Sequence, residues 1–206
     1  MKITFYTAPN SSAIPVDHAL RELDVPHERV VFDLQAGTHL TEAFGRINPN
    51  RKVPTLVVDG TPLFEALAIL QWLGDTFGVK RGLWPAFDSP QRLEAVSWTT
   101  WAYTAFSPML GRFNVAGSEM VPEALHQPAQ REAFGKELQS LFGVLEQRLT
   151  GRSVLVGESY SLADLVMSNA LAWAGMCGVK PEGFERVQAW LAAALDRPVV
   201  REIWGD

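Results

Sequence analysis

The sequence predicts an α/β domain of roughly eighty residues followed by an all-helical domain. Three observations predict it. Strand-like and helix-like stretches alternate up to residue 78, with a hairpin signal at Asp59-Gly60. After Pro90 helical periodicity dominates, and Ser153 to Val156 is the one further strand candidate. Between the two regimes, Gly82, Pro85 and Asp88-Ser89 interrupt any periodicity. The expected division is therefore 1–79, a linker at 80–89, and 90–206.

Lys2 to Thr7 is rich in Ile, Thr, Phe and Tyr and reads as a strand. Ala8-Pro9-Asn10-Ser11-Ser12 is a loop of turn formers. From Ala13 to Leu23 the spacing of Ile14, Ala19, Leu20 and Leu23 is helical, and Pro15 suits a first turn. Glu28 to Phe32 is a second strand and Leu40 to Arg46 a short helix. Val53 to Val58 and Thr61 to Phe64 are strands joined by the Asp59-Gly60 turn. Glu65 to Phe77 is a helix with Ala66, Ile69, Leu70, Leu73 and Phe77 on one face, ended by Gly78. This order makes a small mixed sheet covered by helices. The later helices are expected over Gln91–Ala105, Pro128–Leu149, Leu162–Gly175 and Phe184–Leu195.

The chain has 206 residues, 47% apolar and 20% charged, which suits a buried core rather than disorder. A net charge of -5 argues against nucleic acid or an anionic membrane as partner. No apolar run reaches the ~18 residues that span a bilayer, and residues 1–10 do not read as a signal peptide. The single cysteine, Cys177, allows no internal disulfide, so a reducing cytoplasm is the expected compartment. The four histidines lack metal-ligand spacing, and no metal is expected.

Four segments are candidates for chemistry. The loop from Pro9 to Ser12 lies between a strand and a helix start, where free N–H groups and the helix dipole favour an anion. A hydroxyl from Ser11 or Ser12 can donate to a thiolate there, or simply cap the helix. Lys52-Val53-Pro54-Thr55 leads a proline into a strand. A cis Val53–Pro54 bond would turn the Val53 backbone outward to pair with an extended peptide; an edge-strand proline is the alternative. Glu65, at a helix start, complements the dipole or binds an amine. Tyr103, Phe106 and Phe113 are offered either to an apolar ligand or to the core. Ser161-Leu162-Ala163-Asp164 is a capping box with a folding role.

Together these segments resemble the cytosolic glutathione transferase superfamily. Residues 8–23 resemble its first strand, catalytic loop and first helix. Asn48 to Leu56 resembles "NP…GKVPxL", Leu63 to Leu73 resembles "LxESxAIxxYL", and Tyr160 to Asp164 resembles "(Y/F)SxAD". The resemblance implies a thioredoxin-like N-terminal domain, an all-α C-terminal domain and a homodimer with contacts guessed at Gln71, Asp75 and the helix from Gln91. It implies glutathione as co-substrate and a small hydrophobic electrophile. Ser12 aligns with the catalytic cysteine of the bacterial beta-type loop "APGACSLxP", with Ser11 and Asn10 as close alternatives and Tyr6 ranked below them. Val53 with Pro54 is implied to pair with the cysteinyl backbone, Glu65 to meet the γ-glutamyl amine, and the Ala66 N–H to meet its carboxylate. Lys52 or His39 is implied to neutralise the glycyl carboxylate. Two departures stand out: Ala66 replaces the family's Ser or Thr, and the histidine of the beta-type second domain falls near Ser107. A non-catalytic binding protein, or a glutathione-dependent isomerase, dehalogenase or peroxidase, are the alternative readings on the same fold.

Overall fold

In the computed structural model, which describes residues 1–119 and 121–204, β1 (Ile3–Thr7) lies inside a four-stranded sheet of order β2-β1-β3-β4. Its alternation buries Ile3, Phe5 and Thr7 on one face. β2 (Glu28–Val31) runs parallel to β1, while β3 (Thr55–Val58) pairs antiparallel with β1 and with β4 (Thr61–Phe64). Asp59 and Gly60 both take left-handed φ, 47° and 87°, as the expected two-residue hairpin turn requires. α1 (Ile14–Glu22) and α3 (Ala66–Leu73) bury Val16, Ala19, Leu20, Ile69, Leu70 and Leu73 completely or nearly so. α2 (Glu42–Ile47) is capped by Thr41, whose hydroxyl accepts from the Phe44 N–H at 3.2 Å. This is a thioredoxin-like arrangement, as expected.

The second unit is helical: α4 (Pro90–Trp101), α5 (Ser107–Val115), α6 (Pro128–Arg148), α7 (Leu162–Met176) and α8 (Glu185–Leu195). The first of these does not stop at Ala105. α4 passes through a widened turn, Ala102–Phe106, into α5. That turn precedes Pro108, which has no N–H to donate and whose ring crowds the carbonyl four residues back. Ser153 to Val156 forms no strand. The Leu155 N–H donates to Asp164 Oδ1 at 2.8 Å and its carbonyl accepts from Arg148 Nε at 2.8 Å, so side chains satisfy the backbone that a strand partner would have paired.

Packing separates Met1–Asp88 from Ser89–Arg197 and groups α9 (Pro198–Trp204) with the first unit. The expected 90–206 domain is thus shorter at its end, because α9 packs on α1 with Arg21 Nη1 3.6 Å from Glu202 Oε2. Met120, Gly205 and Asp206 of that span lie outside the described residues.

α7 is the buried axis of the second unit, with Leu162 to Leu171 all buried. Its capping box is present: Ser161 Oγ accepts from the Ala163 N–H at 3.2 Å, and Asp164 Oδ2 accepts from the Ser161 N–H at 3.0 Å. Asp164 does more than the motif implied. Its Oδ1 also accepts from Trp190 Nε1 at 2.9 Å, so one carboxylate joins α7, α8 and the 153–156 segment. Burial pushes its pKa above the ordinary value, against the pull of the donors from Leu155, Trp190 and Ser161. Replacing it by alanine strands three buried N–H donors. Asp164→Ala is expected to lower stability by roughly 3–5 kcal/mol, and Tm by on the order of 10 °C, with Asp164→Asn in between. Thermal unfolding followed by circular dichroism checks this, and an unchanged Tm would remove the carboxylate from its central role.

Candidate functional site

Strand register gathers the candidate residues of the first unit. Tyr6 of β1 stands opposite Thr55 of β3, and Thr55 stands opposite Phe64 of β4. The end of β1, the start of β3 and the end of β4 therefore share one end of the sheet. The loop 8–12, the bend 52–54 and Glu65 all follow from it.

In the loop, Ser11 Oγ donates to the Ala8 carbonyl at 2.7 Å and accepts from the Ala13 N–H at 3.2 Å. Its hydroxyl is thus occupied in holding the loop. Ser12 is exposed, and its Oγ donates to the Val53 carbonyl at 2.9 Å. That bond spans 41 residues of sequence and ties loop to bend. Ala13, not a serine, occupies the α1 N-cap position, with no side-chain cap. Asn10 is exposed and takes a left-handed φ of 49°, a conformation asparagine tolerates better than most residues. Pro15 falls in the first helical turn.

The Val53–Pro54 bond is cis. Pro54 is buried and Val53 nearly so. The Val53 carbonyl already accepts from Ser12, though a carbonyl oxygen has a second lone pair to offer. Asn48, 1% exposed, builds the approach to this bend. Its Nδ2 donates to the Lys52 carbonyl at 3.0 Å and to Thr55 Oγ1 at 2.9 Å, and its Oδ1 accepts from the Asn50 N–H at 3.0 Å. Asn48 is not distinguished in the sequence from the rest of the Asn48 to Leu56 segment. The dipeptide Asn48-Pro49, a turn signal ahead of a strand, was the available clue.

Glu65 is exposed and precedes α3 with φ 71°, strained for a residue with a Cβ. Ala66 opens the helix, so its N–H has no carbonyl within the helix to bond. Lys52 is exposed. His39 is half-buried, its ring 6.4 Å from that of Phe32, and its buried Nδ1 has no hydrogen-bond partner among the described residues. Tyr6 packs its ring at 5.2 Å from Phe44 and 5.9 Å from Phe32, inside an aromatic cluster.

In the second unit, Phe106 is fully buried, with its ring 5.6 Å from that of Phe142. It is a core residue, so of the two alternatives the sequence offered for Phe106, ligand or core, the core is the one found. Tyr103 is half-buried by surface, and burial pushes its phenol well above the ordinary range, so it stays protonated. The Phe113 ring carries the Arg131 guanidinium at 4.1 Å. Cys177 is half-buried, and burial raises its thiol pKa while Arg131 lowers it. Among the described residues, no group of three or more His, Cys, Asp or Glu could hold a metal ion, and no helix is long and apolar enough to cross a membrane.

Comparison with known proteins places the fold in a family. The family model described as glutathione S-transferase, N-terminal domain, matches residues 12–76, and the C-terminal domain model of the same family matches 104–198. The disulfide-bond oxidoreductase YfcG of Escherichia coli is 32% identical over 174 residues, covering 79% of this chain and 76% of that protein. Glutathione S-transferase theta-1 of Mus musculus is 31% identical over 192 residues, covering 87% and 77%. Glutathione S-transferase GstB of Escherichia coli is 29% identical over 205 residues, covering 98% and 97%. Among solved structures, the glutathione transferase URE2P6 of Phanerochaete chrysosporium, in complex with oxidised glutathione, shares the fold with a TM-score of 0.89 at 24% identity, covering 98% of this chain and 94% of that one. With its thioredoxin-like sheet, its helical second unit and relatives at this level of identity, the chain belongs to the glutathione S-transferase family.

Proposed function

We propose that the chain is a glutathione transferase in which Ser12 stabilises the glutathione thiolate for attack on a small apolar electrophile. The observation that carries this reading is the hydrogen bond from Ser12 Oγ to the Val53 carbonyl. It sets the loop hydroxyl within one hydrogen bond of the backbone that an extended cysteinyl unit would pair with. The sulfur of that unit then sits beside Ser12. Glutathione as the ligand is supported by the family and by its presence in the solved Phanerochaete chrysosporium relative.

The chemical task is to ionise a thiol whose free pKa is about 8.5. Lowering it by ~2 units takes about 2.7 kcal/mol of preference for the anion. Ser12 can supply part of this by turning its proton from the Val53 carbonyl to the sulfur. It gives up a neutral hydrogen bond worth about 1 kcal/mol and makes one to an anion, worth about 1.5–3 kcal/mol. The start of α1 adds a favourable dipole. Ser11 ranks below Ser12 because its hydroxyl is held within the loop, and Asn10 is a neighbouring donor. Glu65 takes the γ-glutamyl amine and the Ala66 N–H its carboxylate; Lys52 or His39 balances the glycyl carboxylate. The thiolate then forms a C–S bond to the electrophile, and the leaving group departs with the electron pair. Tyr103 remains the aromatic candidate for the electrophile's side. No metal takes part, and a homodimer in the reducing cytoplasm is the proposed setting.

A second reading has one observation in its favour: the 32% identical relative is a disulfide-bond oxidoreductase. Here the chain has no cysteine pair, and Cys177 has a thiol raised by burial. Glutathione must then bring both thiols. One thiolate attacks a substrate disulfide and expels a substrate thiolate; a second glutathione thiolate resolves the mixed disulfide, leaving oxidised glutathione.

Glutathione at a hundredfold excess over its Kd should stabilise the protein by about 2.7 kcal/mol, seen as a rise in Tm. Ser12→Ala should move the ultraviolet titration of the bound thiolate up toward ~8.5, while Ser11→Ala leaves it in place. If Ser12→Ala does not move that titration, the serine assignment is wrong. Glu65→Ala should raise the glutathione KM roughly 10- to 150-fold and leave the KM for the second substrate unchanged. Parallel assays with an aryl halide and a small disulfide separate conjugation from exchange.

A further inference from the structure

A cavity of about 280 Å³ lies within the first unit, away from most of the residues assigned to glutathione. Its walls come from the end of β1 and the following loop, α1, β2 and α9. Ser12, Val53, Pro54, Glu65 and Ala66 do not line it; Asn10 is the residue shared with the proposed site.

Four charged side chains meet there. Asp17 Oδ2 is 3.6 Å from Arg21 Nη2 and 3.5 Å from Arg29 Nη2, and Arg21 Nη1 is 3.6 Å from Glu202 Oε2. These are loose ion pairs. Among the described residues, neither guanidinium meets an acceptor in hydrogen-bonding geometry, although each carries five donors in a planar fork. Asp17 is 9% exposed, and its buried Oδ1 has no hydrogen-bond partner among the described residues. A buried carboxylate oxygen without a donor is uncommon and calls for an explanation. The cluster therefore holds its charges in loose pairs, with Asp17 Oδ2 as the carboxylate oxygen shared between the two arginines.

We propose that this cavity is a second ligand site, built for an α-amino-acid head group with an ammonium and a carboxylate on one carbon. The charge balance selects this chemistry. Two arginines, one aspartate and one glutamate sum to zero. A simple anion gains the arginines but meets two carboxylates, and a simple cation meets the reverse. A zwitterion satisfies both sets at once: its carboxylate accepts from the Arg21 and Arg29 forks, and its ammonium donates to Asp17 and Glu202. Ile14, Val31 and Ile203 give the wall an apolar part for the ligand's side chain. The volume is at the small end for ligand pockets, which suits an amino acid or a short peptide rather than a larger molecule. The Glu202 carboxylate, mostly exposed, can re-pair with the ligand at little cost.

Free amino acids and γ-glutamyl peptides both carry this head group. The test is an amide NMR titration of the full chain with L-glutamine and, separately, S-methylglutathione. Saturable shifts at Thr7, Asn10, Arg21 and Val31 are expected for at least one of them, and the tighter of the two identifies the source. N-acetyl-L-glutamine, which lacks the ammonium, and L-glutamine amide, which lacks the carboxylate, should each bind at least tenfold more weakly. Arg29→Leu, on the edge strand β2, should abolish the shifts with the fold intact, and Asp17→Asn should weaken them. Absence of saturable shifts with both ligands, or equal shifts from the blocked analogues, overturns the proposal. Glu65→Ala, which removes a proposed glutathione contact, should leave the L-glutamine shifts unchanged.

Discussion

The antiparallel pairing of β1 with β3, with Tyr6 opposite Thr55, decides where everything else in the first unit falls. A strand pair fixes its register by side-chain alternation, and a slip by one residue would turn Phe5 and Leu56 out of the core. With the register held, the chain leaves β1 where it enters β3. The loop with its serines and the bend before Pro54 then have to be neighbours. The Ser12 to Val53 hydrogen bond joins them, and the parallel argument through Thr55 and Phe64 brings Glu65 to the same end. Strand register thus brings three segments far apart in sequence to one end of the sheet.

The site chemistry follows from what these segments lack as much as from what they hold. The loop after β1 carries hydroxyls at Ser11 and Ser12 and no thiol, so its own side chains form no disulfide with a substrate. The Ser12 hydroxyl acts through a hydrogen bond, which goes to the Val53 carbonyl. The same donor that organises the loop is the one proposed to turn toward the sulfur. Ser11 cannot exchange partners as freely, because it both donates to Ala8 and accepts from Ala13.

Polar groups buried inside each unit divide into those whose hydrogen bonds complete the fold and those left without a full set. Asn48 and Asp164 belong to the first kind. Each satisfies several backbone or side-chain donors and acceptors, so each fixes an irregular segment that could not fix itself. Asp17 belongs to the second kind, with one oxygen loosely paired to two arginines and the other without a donor. A buried polar group with complete hydrogen bonds rigidifies its surroundings, and one without them costs free energy.

Local patterns were enough to read the strand and helix order of the first eighty residues, the Asp59-Gly60 turn, the capping box at Ser161 and the proline-led start of α1, but not α5 or α9. Each of these depends on residues within a few positions of one another, which is the range over which propensity and periodicity act. Four things depended on contacts across the chain. Phe106 is a core residue because its ring packs against Phe142, thirty-six residues further on. Ser153 to Val156 is not a strand because Asp164 and Arg148 take its backbone groups. α9 packs with the first unit through its contact with α1, which includes the Arg21–Glu202 ion pair. The preference between Ser11 and Ser12 comes from which carbonyl each hydroxyl reaches, Ala8 three residues away or Val53 forty-one residues away. The sequence alone determines which groups can donate, accept or pack; only the folded chain decides which of them meet, because partner choice is set by long-range register and burial that no local window contains.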